Sequence, residues 1–349
     1  MAGGRTETFG PTQTQKRQVA PENHPLKSQS RDRITLYYPI PKMPYLCGMT
    51  TQLARIEDAV RERVSAAFAH NTRRSYASTL RLYERFCAEN GRTPGEPLSV
   101  IAFCEYLAAQ GRKIATIERH VAALRVRYRV ADDRLRLYLR GLRRTLGSAQ
   151  SQKAPLTPTQ LGLIRWDSGR KGLRDKALLL VGFFGAFRNS ELVGLNVEDV
   201  VFTPEGAILS LRKSKTDQEG RGREVAIGYA NRPELCPVRA LQSYMATLGR
   251  NTGPLFVSMR KSQYTQSRLS TYAVALIVKD YADRIGLDPR QFSGLSLRAG
   301  FVTTAALLGA TEDEIALQTG HKSPTAVWRY IRRASLFERN AMTRIANNL

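Results

Sequence analysis

The sequence has little of what marks a secreted, zinc-binding or membrane-spanning protein. Four cysteines occur in 349 residues, and none stands in Cys-x-x-Cys spacing, so neither a zinc site nor a disulfide framework is indicated. No apolar run reaches the roughly 18 residues of a membrane-spanning helix, and the N-terminus lacks a secretory pattern. We therefore expect a protein of a reduced, cytoplasmic compartment that does not bind a membrane.

Two further absences concern cofactors. The sequence contains no Gly-x-x-x-x-Gly-Lys-[Ser/Thr] loop for nucleotide phosphates. It also contains no cluster of carboxylates that would hold a catalytic metal ion. We expect neither a metal nor a nucleotide cofactor.

Acidic residues are scarce beside basic ones. Lysine and arginine number 54 against 30 aspartates and glutamates, which gives a net charge of +24. Such an excess is typical of a protein that binds a polyanion or a membrane surface; a secreted or ribosome-associated basic protein is the alternative. Hydrophobic residues make up 42% of the chain, enough for two ordinary cores.

The spacing of apolar residues predicts two domains. Residues 1–50 lack periodic apolar spacing and are interpreted as a flexible basic tail. Residues 51–146 carry five apolar stripes at helical spacing, the second opening with a break and a cap at residues 70–72, and predict an all-helical domain. Residues 147–154 form a polar, Gly- and Pro-bounded linker. Residues 155–349 mix helical stretches with strand-like runs and predict an α+β domain.

The strand-like runs of the second domain lie at residues 200–202, 207–211 and 224–227, and together they predict one small antiparallel sheet. The chain as a whole is therefore expected to be mainly α. The predicted helices of this domain are residues 174–187, 238–248, 269–285, 297–308, 311–318 and 325–331.

Arginines dominate one stretch of the helical domain. Nine occur between positions 119 and 144, with no lysine and only two aspartates. Guanidinium groups bind phosphate oxygens and can reach guanine edges, so the one-signed charge favours DNA contact. A solvated helix face is the alternative. The nine positions are Arg119, Arg125, Arg127, Arg129, Arg134, Arg136, Arg140, Arg143 and Arg144.

Five polar residues of the second domain stand in contexts that suit chemistry at a phosphodiester. Arg188 follows an apolar run, Lys215 lies in Arg-Lys-Ser-Lys-Thr-Asp on a predicted hairpin, and Arg298 lies in Ser-Gly-Leu-Ser-Leu-Arg-Ala-Gly. His321 follows a glycine, and Tyr330 comes nine residues later in Trp-Arg-Tyr-Ile-Arg. The arginines match the non-bridging oxygens of a phosphate. A tyrosine can act as the nucleophile when neighbours help to ionise it.

These residues and their spacing resemble the tyrosine site-specific recombinase, or phage integrase, family. That family's pattern is Arg, Lys, His-x-x-Arg, His or Trp, and then Tyr. The resemblance implies a helical core-binding domain and a catalytic domain that form a C-shaped clamp on double-stranded DNA. It also implies a homotetramer on paired recombination sites and a cytoplasmic, nucleoid-associated location in bacteria.

The resemblance also implies a role for each site residue. Tyr330 would form a 3′-phosphotyrosyl intermediate, Arg188 and Arg298 would neutralise charge on the phosphate, and His321 would hydrogen-bond it. Lys215 would protonate the 5′ oxygen, with Lys213 as the rival on the same strand face. Glu191, three residues after Arg188, would hold that arginine in place. The predicted DNA contacts are Arg73 and Arg74, in a segment that resembles the family's core-binding domain, and Arg119, Arg125, Arg127, Arg129 and Arg134.

One position departs from the family pattern. Leu295 stands where the family has histidine, and leucine can neither hold a proton nor contact the phosphate. We expect activity to be impaired by this change and not abolished. A catalytically inactive DNA-binding relative, a type IB topoisomerase and a hairpin telomere resolvase remain as alternatives to a recombinase.

The C-terminal residues 334–349 carry an apolar stripe at helical spacing just beyond the expected nucleophile. Such a segment must cover its own domain or dock on a neighbouring protomer. We expect it to serve as an assembly helix.

Overall fold

The computed structural model describes residues 56, 58–60, 62–63, 66–147, 152–212, 222–321 and 341–346. The chain divides into two compact units between Ser148 and Ala149. Each unit has its own cluster of buried apolar side chains. Among the described residues, no helix is both long and apolar enough to cross a bilayer.

The first unit is helical, as the apolar stripes predict. Helical residues between 56 and 66 precede four helices: α1 His70–Glu89, α2 Pro97–Ala109, α3 Ile114–Tyr128 and α4 Asp133–Leu146. Each helix contributes to one core, whose largest buried side chains include Tyr83, Phe103, Ile117, Leu124 and Leu135.

The predicted cap at residues 70–72 is wrong. Helix α1 begins at His70, with Ala69 at the N-cap and no side-chain hydrogen bond to the first turn. The chain already turns at residues 67–68, so Asn71 and Thr72 lie inside the helix. By contrast, Asp132 does cap α4, since its carboxylate accepts the backbone N–H groups of Arg134 and Leu135.

The core of the second unit contains one long apolar helix. The central helix α6 is buried continuously from Ala177 to Phe183, which explains why its sequence shows no polar face. It ends at Phe184, three residues before the predicted end. The helices are α5 Pro158–Leu163, α6 Gly169–Phe184, α7 Asn189–Gly194, α8 Pro237–Leu248, α9 Thr271–Arg284, α10 Leu295–Leu307, α11 Glu312–Thr319 and α12 Ala341–Ala346.

The predicted sheet is present, with antiparallel order β1-β2-β3. Its strands are β1 Val200–Thr203, β2 Gly206–Leu211 and β3 Arg223–Gly228. The hairpin between β2 and β3 is the one on which the sequence places Lys215. Lys215 itself, its rival Lys213 and the predicted helix at 325–331 lie outside the described residues.

A second sheet, formed by β4 Val257–Arg260 and β5 Gln263–Arg268, was not predicted. Its tight turn consists of Lys261 and Ser262, both at positive φ, where glycine or asparagine is the usual signal. Strand β5 is mostly exposed and polar, so it shows no alternation of apolar and polar residues from which a strand could be predicted.

The residues that follow the division between the units are attached to the first turn of α10 and to the 3₁₀ turn Pro289–Gln291 before it. The Lys153 Nζ donates to the carbonyl of Arg290 (2.6 Å), and the backbone N–H of Ala154 donates to the carbonyl of Gln291 (2.8 Å). The backbone N–H of Leu156, a fully buried residue, donates to the carbonyl of Ser296 in the first turn of α10 (3.0 Å). Residues 153–156, named here the strap, therefore hold the first turn of α10 and the 3₁₀ turn before it.

Candidate active site

Arg188 and Glu191 form a closed pair at the start of α7. The Nη1 of Arg188 donates to Oε1 of Glu191 at 2.5 Å, and the Arg188 backbone N–H donates to Oε2 at 2.9 Å. The Glu191 side chain is fully buried, where a carboxylate without partners would be strongly disfavoured. The Glu191 carboxylate thus accepts a backbone N–H at the start of α7 and orients the Arg188 guanidinium, as the three-residue spacing predicts.

The turn that leads into Arg188 is strained. Ala186 has φ 48°, a left-handed conformation that costs a non-glycine residue about 1–2 kcal/mol. Its carbonyl accepts a hydrogen bond from Arg298 Nη1 at 2.7 Å, and a bond to a charged group contributes about 1.5–3 kcal/mol. The contact with Arg298 offsets the strain, so the turn and the second arginine hold each other in place.

Arg298 lies on α10 and is only 3% exposed. Two close approaches hold this helix. A Cβ on Gly294 would come within 2.2 Å of the Asn189 side chain, and one on Gly300 would come within 1.9 Å of the Leu156 carbonyl. A side chain at position 294 would displace the Asn189 amide, whereas one at position 300 would meet backbone and push α10, with Arg298, away from residue 156.

Leu295 lies in the first turn of the same helix and is 45% exposed. It is three residues before Arg298, so the two positions share one side of α10. Leucine is more often buried than solvent-facing, but a single exposed leucine is not unusual. The leucine side chain has no atom that could donate or accept a hydrogen bond in place of the histidine of the family pattern.

His321 is joined to Arg298 and to Thr319. Its Nε2 is 2.9 Å from Arg298 Nη2, and its Nδ1 is 2.7 Å from Thr319 Oγ1. Burial, followed by the charges of Arg298, Arg188 and Arg223, lowers the pKa of His321 to about 4. The imidazole is therefore neutral near pH 7.

Arg223, the first residue of β3, is a site residue that the motifs of the sequence did not reveal. Its Nη1 donates to the Gln318 carbonyl (3.1 Å), its Nη2 donates to the Thr319 carbonyl (3.4 Å), and Nη2 lies 3.9 Å from Glu191 Oε2. Burial lowers its pKa below the ordinary arginine value. Arg223 thus ties the strand of the hairpin to the turn that carries His321.

The glycine before His321 has a physical reason. Gly320 caps α11 in the left-handed conformation, with φ 64°. A Cβ there would lie 2.8 Å from the Arg223 Nε. Only glycine meets both conditions without strain, and the sharp turn it allows brings His321 back towards Arg298.

The electrostatic character of the cluster follows from its members. Arg188, Arg223 and Arg298 bring three guanidinium groups together around a neutral histidine, with Glu191 as the carboxylate among them. Such an arrangement favours an anion with several oxygens, such as a phosphodiester. Within the described ranges, no group of three or more His, Cys, Asp or Glu residues could hold a metal ion.

The structure brings Arg188, Glu191, Arg298 and His321 together, as a shared site requires. Tyr330, the expected nucleophile, and Lys215, the expected acid, lie outside the described residues. Their positions relative to the cluster remain predictions from the sequence.

In the first unit, the arginine-rich stretch occupies α3, α4 and the turn between them. Most of its side chains are at least partly exposed, and the Arg127 guanidinium lies over the Tyr128 ring. Three of the arginines pair with nearby carboxylates: Arg134 with Asp132, Arg136 with Asp133 and Arg143 with Glu118.

An open concavity of about 960 Å³ lies at the turn between α3 and α4, lined by Arg125, Arg129, Arg134 and Arg136 among others. The two remaining predicted DNA contacts, Arg73 and Arg74, lie on α1, where Arg73 is half-buried and Arg74 is exposed. The first unit therefore presents positive charge on α1 as well as on α3 and α4.

Comparisons with known proteins bear on both units. Residues 162–336 match the phage integrase family, and residues 63–134 match the phage integrase N-terminal SAM-like domain. An integrase/recombinase XerD homolog of Selenomonas ruminantium is 37% identical over 321 residues, covering 86% of this chain and 94% of that protein. The recombinase Cre of Escherichia phage P1 is 24% identical, covering 89% of this chain and 97% of that protein.

Solved structures show the same fold at low identity. The integrase of transposon Tn1549, in complex with a circular intermediate DNA, superposes with a TM-score of 0.59 at 16% identity, over 83% of this chain and 96% of that one. A lambda integrase dimer bound to a core site gives 0.55 at 18% identity, over 80% and 93% of the two chains.

The family pattern, the fold and these matches agree. The chain belongs to the phage integrase family, and it is a tyrosine recombinase. The family and the enzyme class predicted from the sequence are thereby confirmed, and the topoisomerase and telomere-resolvase alternatives are set aside.

Proposed function

We propose that this recombinase cleaves and rejoins DNA at specific sites with Tyr330 as nucleophile and with Arg188, Arg298 and His321 around the scissile phosphate. Attack of the tyrosine on phosphorus breaks the bond to the 5′ oxygen and leaves a 3′-phosphotyrosyl ester. Lys215 supplies the proton to the departing oxygen. The ester preserves the bond energy, so rejoining uses no nucleotide.

The observation that carries this proposal is the contact of Arg298 with both Ala186 and His321. It joins three segments far apart in sequence, each of which contributes one element of the family pattern. Glu191 serves as a support for Arg188. The guanidinium groups then neutralise the charge that develops on the non-bridging oxygens.

The test is covalent capture on a nicked suicide substrate, from which the cleaved strand is lost so that rejoining is prevented. The full-length chain should yield a protein–DNA adduct that survives denaturing electrophoresis. Tyr330→Phe should bind the same DNA with unchanged affinity and yield no adduct, because only the hydroxyl is removed. An adduct at the wild-type level in this variant would assign the nucleophile to another tyrosine.

We further propose that residues 51–146 and 155–349 act as the two halves of a clamp around duplex DNA, joined by residues 147–154. The exposed arginines of α3 and α4, with Arg73 and Arg74, would bind phosphates on one side. Exposure and an excess of one charge sign support this assignment, since phosphate contacts dominate the affinity of such proteins for DNA.

We also propose that the protein works as a homotetramer on paired sites and that the C-terminal segment mediates assembly. Met342 and Ile345 on α12 are both more than half exposed, which leaves apolar surface for a second copy. Deleting residues 334–349 should abolish the paired-site complex in a gel shift and leave binding to one site intact. Pairing at the wild-type level in the deletion would contradict this role.

A further inference from the structure

The C-terminal end of α11 is held by an arginine of the neighbouring strand. Arg223 Nη1 donates to the Gln318 carbonyl at 3.1 Å, and Nη2 donates to the Thr319 carbonyl at 3.4 Å. The last carbonyls of a helix have no acceptor role within the helix itself, and a cation beside them also interacts favourably with the helix dipole. Arg223 therefore caps α11 immediately before the turn that carries His321.

A second set of hydrogen bonds runs in the opposite direction, from α11 to β3. The Gln318 Nε2 donates to the carbonyl of Ala226 on β3 (3.1 Å) and to the carbonyl of Phe184 at the end of α6 (2.9 Å). The strand thus binds the backbone of the helix through one side chain, and the helix binds the backbone of the strand through another. Neither can move along the other without breaking hydrogen bonds of both kinds.

Arg223 also faces the buried carboxylate of the site. Its Nη2 lies 3.9 Å from Glu191 Oε2, while Oε1 of the same carboxylate accepts from Arg188. The Glu191 side chain is fully buried and the Arg223 side chain is 23% exposed, so water screens their attraction only weakly. One carboxylate therefore serves two guanidinium groups, one from α7 and one from β3.

The contacts of the site close on themselves, and we name the arrangement the contact cycle. Successive members touch through a hydrogen bond or an ion pair, and the short stretch of chain between the first member and the last completes the cycle. In order, the members are Ala186, Arg298, His321, Thr319, Arg223, Glu191 and Arg188. Loss of Arg223 would open the cycle between α11 and α7.

We propose that Arg223 is a positioning residue for the cleavage reaction, which closes the contact cycle and thereby holds Arg188 and His321 at a fixed separation. This inference rests on the proposed function, in which both of those residues contact the scissile phosphate. Both terminal nitrogens of Arg223 already bind the end of α11. Arg223 acts on the phosphate through Arg188 and His321.

Charge and geometry can be separated at this position. Arg223→Lys keeps the positive charge, but one ammonium group cannot bind two successive carbonyls and face Glu191 as a planar guanidinium does. Arg223→Met removes the charge as well and keeps an unbranched, flexible side chain. Single-turnover cleavage of the suicide substrate at saturating DNA reports the rate, gel shift reports affinity, and thermal unfolding is the control for folding.

The pKa of His321 provides a readout that needs no DNA. Burial, followed by the charges of three arginines that include Arg223, lowers this pKa to about 4. NMR of the full-length protein follows the imidazole signals against pH, with the signals assigned through His321→Gln. The pKa should rise in both variants, because a looser turn exposes the imidazole to water. It should rise further in Arg223→Met, because a neighbouring cation is also lost.

Cleavage should slow about 10-fold in Arg223→Lys and about 10²-fold in Arg223→Met, at unchanged DNA affinity, since small displacements of groups that bind the reacting centre have effects of this size. A wild-type rate in Arg223→Lys would overturn the proposal, because it would show that charge alone suffices. A loss of affinity equal to the loss of rate would also overturn it, because Arg223 would then contact DNA directly. If Arg223→Met did not fold, Arg223→Lys would decide.

The same hairpin offers a matched control. Arg212, at the end of β2, pairs with Glu198 and Asp199, and its side chain is 60% exposed. Arg212→Met removes a paired arginine from the other side of the hairpin and should change neither the cleavage rate nor the pKa of His321. Losses equal to those in Arg223→Met would assign both effects to the stability of the hairpin and reject a positioning role.

The failure of the proposed function would be recognised separately. If the wild-type protein formed no covalent adduct, cleavage chemistry would be rejected. The NMR titration would still decide whether Arg223 holds the turn of His321, since an unchanged pKa in both variants would exclude it.

Discussion

The two units use arginine in opposite ways. In the first unit the arginines of α3 and α4 are mostly exposed. Those that pair with carboxylates form these ion pairs at the surface. In the second unit Arg188, Arg223 and Arg298 are largely withdrawn from solvent, and each has defined partners. Exposed ion pairs contribute about 0–1 kcal/mol each, whereas a buried guanidinium without its partners is strongly disfavoured.

The exposed arginines should therefore affect mainly DNA affinity, and the buried arginines mainly the cleavage reaction. An exposed arginine attracts phosphate through charge that neighbouring arginines can replace, so each one has a small effect. A buried arginine acts through the geometry of its donors, which a neighbour cannot reproduce. Single substitutions should therefore be mild in the first unit and severe in the second.

The largest effect is expected from Arg298→Lys. Lysine keeps the charge, but its single ammonium group cannot contact the Ala186 carbonyl, His321 and a phosphate in the fixed geometry of a guanidinium. Single-turnover cleavage should fall by about 10²- to 10³-fold, the usual cost of losing one oxyanion donor, at unchanged DNA affinity. Thermal unfolding serves as the control for folding. Cleavage within a few-fold of wild type would show that charge alone suffices in the buried cluster.

A smaller effect, and a gain, is expected from Leu295→His. The position is exposed in the first turn of α10, so an imidazole fits without disturbing the core. It would supply the proton acceptor that the family pattern has at this position and raise single-turnover cleavage by up to about 10²-fold, the low end of what general acid–base catalysis contributes. A slower enzyme in this variant would show that the site works only with leucine.

The smallest effect is expected from Arg125→Ala on the exposed face. Affinity should fall only a few-fold, and the slope of log K against log salt should decrease by about 0.9, because the protein then neutralises one phosphate fewer. Cleavage at saturating DNA should not change. Arg143→Ala is the matched comparison, since Arg143 is already paired with Glu118 and should affect the slope less. A change in the cleavage rate at saturating DNA for either variant would contradict the conclusion that the first unit affects only DNA affinity.

Much of this contrast could be predicted from sequence because it depends on local patterns. The helices of the first unit follow from apolar spacing, and the arginine pair of the active site follows from short motifs with fixed neighbours. The β4–β5 hairpin was missed because its turn, Lys261–Ser262, lacks the usual residues and its outer strand is polar.

Arg223 and Thr319 show a different limit. Arg223 is one of 54 basic residues, and no motif distinguishes it from the others. It does share a strand face with the buried Val225 and Ile227. Strand alternation could therefore have indicated an inward-facing arginine at this position. Thr319 offers no such signal. Its contact with His321 spans a turn made by Gly320, which only the folded chain shows.

The strap has a practical consequence for dividing the molecule into separately produced fragments that regain activity on mixing. A cut before residue 152 leaves the C-terminal fragment with residues 153–156 and their hydrogen bonds to α10 and to the 3₁₀ turn before it. A fragment that began at Pro158 would lack the Leu156 carbonyl that Gly300 packs against and the N–H that donates to Ser296. A split recombinase should therefore be divided before residue 152, so that the contacts that support Arg298 stay within the C-terminal fragment. This position lies inside residues 147–154, which composition alone assigns to the linker.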